Sequence, residues 1–164
     1  MSFAQQKIER MRELLDPTAS EREAAACFQH YVTSFESHWQ PFDDVLPCLQ
    51  RLDGQRLGII TNGDMEQQQR KLEVIGLSDR FEVLVASSKA GIAKPDARIF
   101  EFACERAGTP LHTMVYIGDD VKTDIAPCQA LGLKGIWVNR MNEMPVQPVP
   151  YAVTTLANLF DHLP

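Results

Sequence analysis

Residues 56–62 read RLGIITN, a short apolar run that ends in a hydroxyl and an amide and passes into a turn at Gly63. Two runs of the same kind follow, FEVLVAS at 81–87 and TMVYIG at 113–118. Continuous apolar runs of this length are typical of strands buried on both faces of a parallel sheet. Because helical patterns separate them, the sequence predicts an α/β fold: a doubly wound, Rossmann-like parallel sheet with helices on both faces.

The same alternation continues on both sides of these runs. A fourth strand is predicted at 135–139 and, after a proline-rich stretch, a short fifth strand at 152–155. Glycine stands just past three of the predicted helices, which is typical of helix C-termini. Helices are predicted at 43–52, 64–75, 96–107, 121–131 and the C-terminus, with a loop between the second strand and Pro95.

The N-terminal residues follow a purely helical pattern instead. Apolar residues recur at helical spacing over 3–15, and a capping box at Ser20 and Glu23 predicts the start of a second helix. The aromatic face of that second helix is interpreted as core. We therefore expect a helical part at 1–40 and an α/β part at 41–164.

The composition is that of an ordinary folded protein of 164 residues, with 45% hydrophobic and 23% charged residues. A formal net charge of −6 without a basic cluster argues against nucleic-acid binding. No apolar run reaches the ~20 residues that span a bilayer, and we expect no signal peptide in the charged N-terminus. Four widely separated cysteines are predicted to be buried thiols, which favours a cytoplasmic location: Cys27, Cys48, Cys104 and Cys128.

Chemically useful side chains follow each of the first three predicted strands, where such sheets bind ligands. Thr61, Asn62 and Gly63 form a turn that favours an anion, and the Lys94 ammonium suits a carboxylate cluster or a phosphate. Three carboxylates follow the third strand and suit Mg²⁺: Asp119, Asp120 and Asp124. Singly, these features also fit an ordinary turn, a solvated lysine and an acidic helix N-terminus. Together they are the parts needed to transfer a phosphoryl group.

Three stretches carry these residues: IITNGD at 59–64, FEVLVASSKAGIAKPDARIFEFA at 81–103 and VYIGDDVKTDI at 115–125. They resemble the haloacid dehalogenase-like (HAD) hydrolases, in the branch of small phosphatases with a helical cap. The likeness is nearly continuous from Phe42 to Arg140, and the Thr-Asn-Gly-Asp turn is most similar to that of pyrimidine-nucleotidase-type members. The resemblance implies a HAD-like core preceded by a partial cap made of helices 3–15 and 20–38.

The resemblance also implies a role for each strand-end residue. One group would bind and steady the transferring phosphoryl group: Thr61, Asn62, Gly63 and Lys94. The other group is acidic: Asp119 as a direct Mg²⁺ ligand, Asp120 behind it, and Asp124, which would pair with Lys94 or orient a metal-bound water. Lys94 and Asp124 are the residues expected to act in catalysis.

One departure from the family concerns the nucleophile. HAD hydrolases begin with a strand that ends in Asp-x-Asp, whose first aspartate attacks phosphorus, and this sequence contains no Asp-x-Asp. Asp43 and Asp44 follow no apolar strand and are not credible substitutes. We expect the sequence to begin inside the cap, so that the core lacks its central strand between 56–62 and 113–118. Those neighbours would then pair directly, accept a strand from another chain, or belong to a longer protein.

The leading hypothesis is a Mg²⁺-dependent phosphatase that acts on a small phosphorylated metabolite through an aspartyl-phosphate in the intact protein. The alternative is a truncated or non-catalytic protein that keeps the fold as a binding or interaction module, because one member of the catalytic unit is missing. Haloacid dehalogenation is less favoured, since metal suits phosphoryl rather than halide chemistry. An open sheet would also favour self-association into a homo-oligomer.

Overall fold

The computed structural model describes residues 3–16 and 18–163, so the predicted limits at residues 1 and 164 lie outside the described residues. The chain divides into two compact units, with the division after Gln40. Within the described ranges, no helix combines the length and the apolar character needed to cross a bilayer.

The first unit contains two helices, α1 (Phe3–Leu15) and α2 (Glu21–Ser37), which pack on each other. The predicted capping box at the start of α2 is confirmed. The Glu23 N–H donates to Ser20 Oγ (3.3 Å), and the Ser20 N–H donates to a Glu23 carboxylate oxygen (2.9 Å). These two bonds satisfy N–H groups that have no partner inside the helix.

The aromatic side chains along α2 form a stack of their own. Successive ring centroids lie 5.8–6.4 Å apart from Phe28 to Trp39. Tyr31 and Phe35 are nevertheless exposed. The interpretation of this face as core is therefore wrong for these two rings, which gain contact from each other instead.

The second unit has the predicted alternation of strands and helices. Its strands are β1 (Gly58–Thr61), β2 (Val83–Ala86), β3 (Val115–Gly118), β4 (Lys134–Val138) and β5 (Ala152–Val153). Its helices are α3 (Val45–Arg51), α4 (Met65–Val74), α5 (Ser87–Ala90), α6 (Arg98–Ala107) and α7 (Ala126–Ala130). Short 3₁₀ segments lie at Ser78–Arg80, Leu111–Thr113 and Leu156–Asp161, and one π-helical turn at Val121–Ile125.

Three segments differ from the prediction. The predicted loop after β2 begins with α5, which at four residues is too short to show a helical period. The predicted helix at 121–131 begins as a π turn, because the Ile125 N–H donates to the Asp120 carbonyl five residues earlier (3.3 Å). The predicted C-terminal helix is a 3₁₀ segment.

The predicted parallel α/β architecture is confirmed, but its strands form two sheets. β1 pairs with β2, from Gly58 beside Val83 to Thr61 beside Ala86, and β3, β4 and β5 form the other sheet. Among the described residues β1 does not pair with β3, so the gap is not closed by direct pairing. A groove of about 860 Å³, here called the β1–β3 groove, lies there, and its lining includes Ile59, Ile60, Tyr116 and Ile117.

The largest apolar cluster centres on α6. Ile99 and Phe100 are fully buried and pack with Val85 of β2 and Cys128 of α7. Full burial of a side chain of this size contributes ~1.5–3 kcal/mol. The cluster thus connects elements of both sheets and holds the N-terminus of α6, and with it the preceding loop that carries Lys94.

Candidate active site

Lys94 and Asp124 form a buried ion pair beside the carboxyl ends of the strands. Lys94 precedes α6 and Asp124 lies in the π turn after β3, and Lys94 Nζ donates to Asp124 Oδ1 at 2.5 Å. The two side chains are 12% and 3% exposed. A charge-assisted hydrogen bond with so little solvent is strong, and each buried charge depends on the other. The structure thus brings together the two residues expected to act in catalysis.

The Asp124 carboxylate is fixed by further donors and by a close neighbour. The Tyr116 hydroxyl donates to Oδ1 (3.1 Å), and the Asp120 N–H donates to Oδ2 (3.1 Å). Gly118 lies against the same side chain, since a Cβ at this position would stand 2.5 Å from Asp124 Cβ. Nonbonded carbons do not approach so closely, so the end of β3 requires glycine for Asp124 to occupy this place.

Tyr116 is a site residue that the sequence prediction missed. Its hydroxyl accepts a hydrogen bond from Lys94 Nζ (3.0 Å), and its ring meets Phe100 edge-on at 4.8 Å between centroids. Burial raises the pKa of the Tyr116 hydroxyl well above its ordinary value, so the phenol stays neutral and can donate. The one sequence feature that indicates Tyr116 is its hydroxyl, which stands in an apolar run two residues before Gly118, near the end of the predicted strand.

Asn62 binds the main chain of Lys94 on both sides. Asn62 Oδ1 accepts from the Lys94 N–H (2.7 Å), and Asn62 Nδ2 donates to the Lys94 carbonyl (2.9 Å). The following Lys94–Pro95 peptide bond is cis. Because the two hydrogen bonds to Lys94 occupy the Asn62 amide, the expected phosphate contact of Asn62 would have to use its remaining amide N–H.

Thr61 and Gly63 form the turn between β1 and α4. The Gly63 N–H donates to Thr61 Oγ1 (3.1 Å), and at the start of α4 the Met65 N–H donates to Ser88 Oγ (2.9 Å). Two main-chain N–H groups of this turn are thus already paired, and a phosphate contact of Gly63 would require its bond to open. The half-buried Thr61 hydroxyl keeps its own proton for a phosphoryl oxygen.

Asp119 and Asp120 follow β3, but their carboxylates do not converge with that of Asp124. Asp120 Oδ1 accepts from the N–H groups of Lys122 (2.8 Å) and Thr123 (2.7 Å), and the Thr123 bond holds the pKa of the Asp120 carboxyl below its ordinary value. The Asp119 side chain is exposed. Throughout the part of the chain that the structure describes, no three His, Cys, Asp or Glu side chains form a group that could hold a metal.

This strand end still fits Mg²⁺ as a partial set of ligands. The ion commonly binds one or two carboxylates and completes its octahedral shell with waters and substrate phosphate. The exposed Asp119 carboxylate is available for such a shell, and Asp120 follows it directly in the chain. The predicted pair thus suits an open site rather than a closed cage of protein ligands.

Asp44, already rejected as a nucleophile, belongs to a separate network. Arg140 donates two hydrogen bonds to its carboxylate (2.8 and 2.9 Å), and the Thr155 hydroxyl (2.7 Å) and the Leu156 N–H (2.9 Å) donate as well. The Arg140 bonds in particular hold the pKa of the Asp44 carboxyl far below its ordinary value. A carboxylate with its oxygens so occupied is a structural anchor.

The cysteines offer no nucleophile in this part of the protein. All four are free, and the predicted burial is confirmed for Cys48, Cys104 and Cys128, whereas Cys27 is partly exposed. Cys128 belongs to the apolar cluster against which Tyr116 packs, and burial raises the pKa of its thiol to about 12. It therefore remains a protonated core residue near neutral pH.

Comparison with known proteins gives matches over most of the chain. A model of the haloacid dehalogenase-like hydrolases matches residues 2–132. The pyrimidine 5'-nucleotidase YjjG of Escherichia coli (strain K12) is 44% identical over 85 residues, 51% of this chain and 38% of the nucleotidase. The glyceraldehyde 3-phosphate phosphatase of Methanopyrus kandleri is 32% identical over 127 residues, 76% of this chain and 54% of that enzyme. The chain thus spans about half the length of these relatives or less.

Solved structures share the architecture as well. The Bacillus subtilis protein YfnB, described as a HAD-hydrolase bound to magnesium, matches with a TM-score of 0.77 at 28% identity. The match covers 98% of this chain and 72% of YfnB.

Proposed function

The chain belongs to the haloacid dehalogenase-like hydrolases, as the sequence predicted, and on this premise we propose that its site serves a Mg²⁺-dependent phosphatase of a small phosphorylated metabolite. The observation that carries the proposal is the buried Lys94–Asp124 pair at the strand ends. Such a pair supplies a fixed positive group where a phosphoryl group carries negative charge.

The hydrogen bonds of Lys94 support this role. A lysine ammonium has three N–H donors. Two of them reach the Asp124 carboxylate and the Tyr116 hydroxyl. The third is left for a phosphoryl oxygen or an attacking carboxylate, so that Lys94 can bind the substrate without losing its own anchors.

Thr61 and Asp119 complete the phosphate-binding side of the proposed site. The Thr61 hydroxyl donates to a second phosphoryl oxygen from the end of β1, while Asp119 stands at the end of β3. Mg²⁺ held there by Asp119, waters and the phosphate would offset the charge that develops during transfer. The chain therefore holds the phosphate from both sheets.

The attacking group would come from a strand that pairs in the β1–β3 groove. An aspartate at the carboxyl end of such a strand would lie between Thr61 and Asp119. Its carboxylate would attack phosphorus as the bond to the substrate oxygen breaks, and the second aspartate of the Asp-x-Asp strand would give the leaving alcohol its proton. Water would then hydrolyse the aspartyl-phosphate, which releases phosphate and restores the carboxylate. In this proposal β1 and β3 supply the edges that place the nucleophile.

The test is phosphate release from p-nitrophenyl phosphate by the chain combined with an Asp-x-Asp strand of a family member, with and without Mg²⁺. We expect release that requires both the strand and Mg²⁺, and a loss on the order of 100-fold in kcat/KM for Asp119→Asn. Asp79→Asn, at an exposed carboxylate of the 3₁₀ segment after α4, is the control and should keep the activity. No release with the strand present, or release indifferent to Asp119→Asn, would contradict the proposal.

A second candidate function is phosphate binding without turnover. It is favoured by the sequence, which has no Asp-x-Asp, and by Asp44, whose carboxylate is fully engaged elsewhere. Titration of inorganic phosphate followed by ³¹P NMR distinguishes the two functions. Binding that Lys94→Met abolishes, together with no turnover in the presence of the strand, would assign the chain to this second class.

A further inference from the structure

We infer that Asn62 and Tyr116 are positioning residues that together fix Lys94 between the two sheets, an inference that rests on the proposed role of Lys94 in binding phosphate. Asn62 acts on the main chain of Lys94 and Tyr116 on its ammonium. Neither residue touches the reacting atoms in this assignment. Each determines where the third N–H of Lys94 points.

Asn62 fixes the position of the Lys94 main chain. Its amide engages both the N–H and the carbonyl of Lys94, at 2.7 and 2.9 Å. Asn62 directly follows β1, whereas Lys94 lies in the loop between α5 and α6, 32 residues further along the chain. One side chain thus replaces a pair of main-chain hydrogen bonds and attaches the lysine loop to the end of β1.

Tyr116 fixes the other end of the same residue. Its hydroxyl accepts from Lys94 Nζ at 3.0 Å and donates to Asp124 at 3.1 Å. The edge-on contact with Phe100, which is fully buried, prevents the ring from swinging away. Because Tyr116 belongs to β3, the lysine is held from β1 through its main chain and from β3 through its ammonium.

This double attachment restricts the ammonium more than its ion pair alone would. A lysine side chain has four rotatable bonds and loses much conformational entropy when it is held in one place. The bonds to Asn62 and Tyr116 offset this loss of entropy before any ligand binds. The free N–H then has a fixed direction, which is the condition for binding a phosphoryl oxygen without reorganisation.

The test measures the exposure and reactivity of Lys94 directly. The chain is treated with limiting acetic anhydride, and mass spectrometry gives the ratio of acetylation at Lys94 to that at the exposed Lys89. Loss of a net hydrogen bond should raise this ratio on the order of fivefold in Asn62→Ala and in Tyr116→Phe. Tyr116→Phe keeps the ring against Phe100, so it decides the matter should Asn62→Ala fail to fold.

Asn139→Ala is the matched control. Asn139 binds the main chain of Glu143 with the same reciprocal pair of bonds, both 2.8 Å long, in the segment after β4. The substitution removes two hydrogen bonds of the same kind at a position that does not contact Lys94. The acetylation ratio should therefore stay at the value of the unaltered protein. A ratio that stays within twofold of that value in both Asn62→Ala and Tyr116→Phe would overturn the inference, as would an equal rise in Asn139→Ala.

A second arm separates this inference from the proposed function. Inorganic phosphate is added before acetylation, and we expect it to protect Lys94 in the unaltered protein. The same degree of protection should require an about fivefold higher phosphate concentration in the two variants. If phosphate does not protect Lys94 in the unaltered protein, the proposed phosphate site fails. The acetylation ratio without phosphate still decides whether Asn62 and Tyr116 position the lysine.

Discussion

At the scale of single residues, the site depends on the buried charge of Asp124. The side chain is 3% exposed, so its charge relies on three donors: Lys94, the Tyr116 hydroxyl and the Asp120 N–H. Leaving one buried acceptor without a donor costs ~1–3 kcal/mol. A substitution that shifts Asp124 by a fraction of an ångström therefore disturbs several bonds at once.

Gly118→Ala should produce such a shift. The added methyl group would meet Asp124 Cβ at 2.5 Å, and we expect the free energy of unfolding to fall by about 1–3 kcal/mol. Urea denaturation measures it. Gly58→Ala in β1 is the control, because its Cβ would lie 3.3 Å from its nearest neighbour, the Val83 carbonyl, and the loss should be smaller. Equal losses in the two variants would contradict the crowding argument.

The sequence predicted that Lys94 and Asp124 would meet, but not how Asn62 and Tyr116 would be used. Lys94 and Asp124 could be placed together because both follow strands of one parallel arrangement. The use of Asn62 could not be predicted, since an amide can bind a ligand or a main chain with the same atoms, and the choice depends on a loop 32 residues away. Tyr116 was hidden because its ring satisfies the apolar pattern of a buried strand.

At the scale of elements, several helical segments begin at a side-chain oxygen. Ser20 serves α2, Asp64 accepts from the Gln67 N–H (3.1 Å) in α4, and Asp120 caps the π turn. The first N–H groups of a helix have no partner within it, so these acceptors determine where each segment starts.

Ser20→Ala tests this dependence in the helical unit. Removing the hydroxyl leaves the Glu23 N–H without its acceptor, and the stability of α2 should fall by about 1 kcal/mol. Amide hydrogen exchange of the first turn of α2 reports it. Ser34→Ala, within the same helix, should leave exchange there unchanged, because alanine suits a helix interior. Unchanged exchange in Ser20→Ala would show that the capping box contributes nothing in solution.

The existence and order of the strands and of the longer helices followed from the sequence, while the short segments and the local geometry did not. Every predicted strand is present, because a buried parallel strand leaves a clear apolar run. The π turn depends on which carbonyl the Ile125 N–H reaches, and both choices suit the same apolar spacing. Likewise, a segment as short as Leu156–Asp161 can form a 3₁₀ or an α-helix without a change of pattern.

At the scale of the whole second unit, the Asp44 network connects its beginning with its end. Asp44 precedes α3, and its partners Arg140, Thr155 and Leu156 follow β4 and β5. The Arg140 and Asp44 side chains are 26% and 15% exposed, so solvent weakens this pair only partly. The ends of the α/β unit are thus joined by charge as well as by packing.

Asp44→Asn should destabilise the unit in a manner that depends on pH. The carboxyl has a lowered pKa in the folded state, so its contribution is complete above the ordinary value of 3.8 and is lost as the pH falls below it. We expect a loss of about 2–3 kcal/mol near neutral pH, measured by urea denaturation. The difference between variant and unaltered protein should shrink towards pH ~3. A difference independent of pH would show that packing, not charge, accounts for the loss.

The β1–β3 groove, across which β1 and β3 do not pair, has a consequence for the order of folding. Paired strands within each sheet are close along the chain: Gly58 and Val83 are 25 residues apart, and Val115 and Lys134 are 19 apart. Contacts at short sequence separation close small loops and form early, so each sheet can nucleate without waiting for the other. A strand that enters the groove would then join two finished edges. In the proposed function, the binding of this strand, rather than the folding of the core, would then be the step that completes the site for phosphoryl transfer.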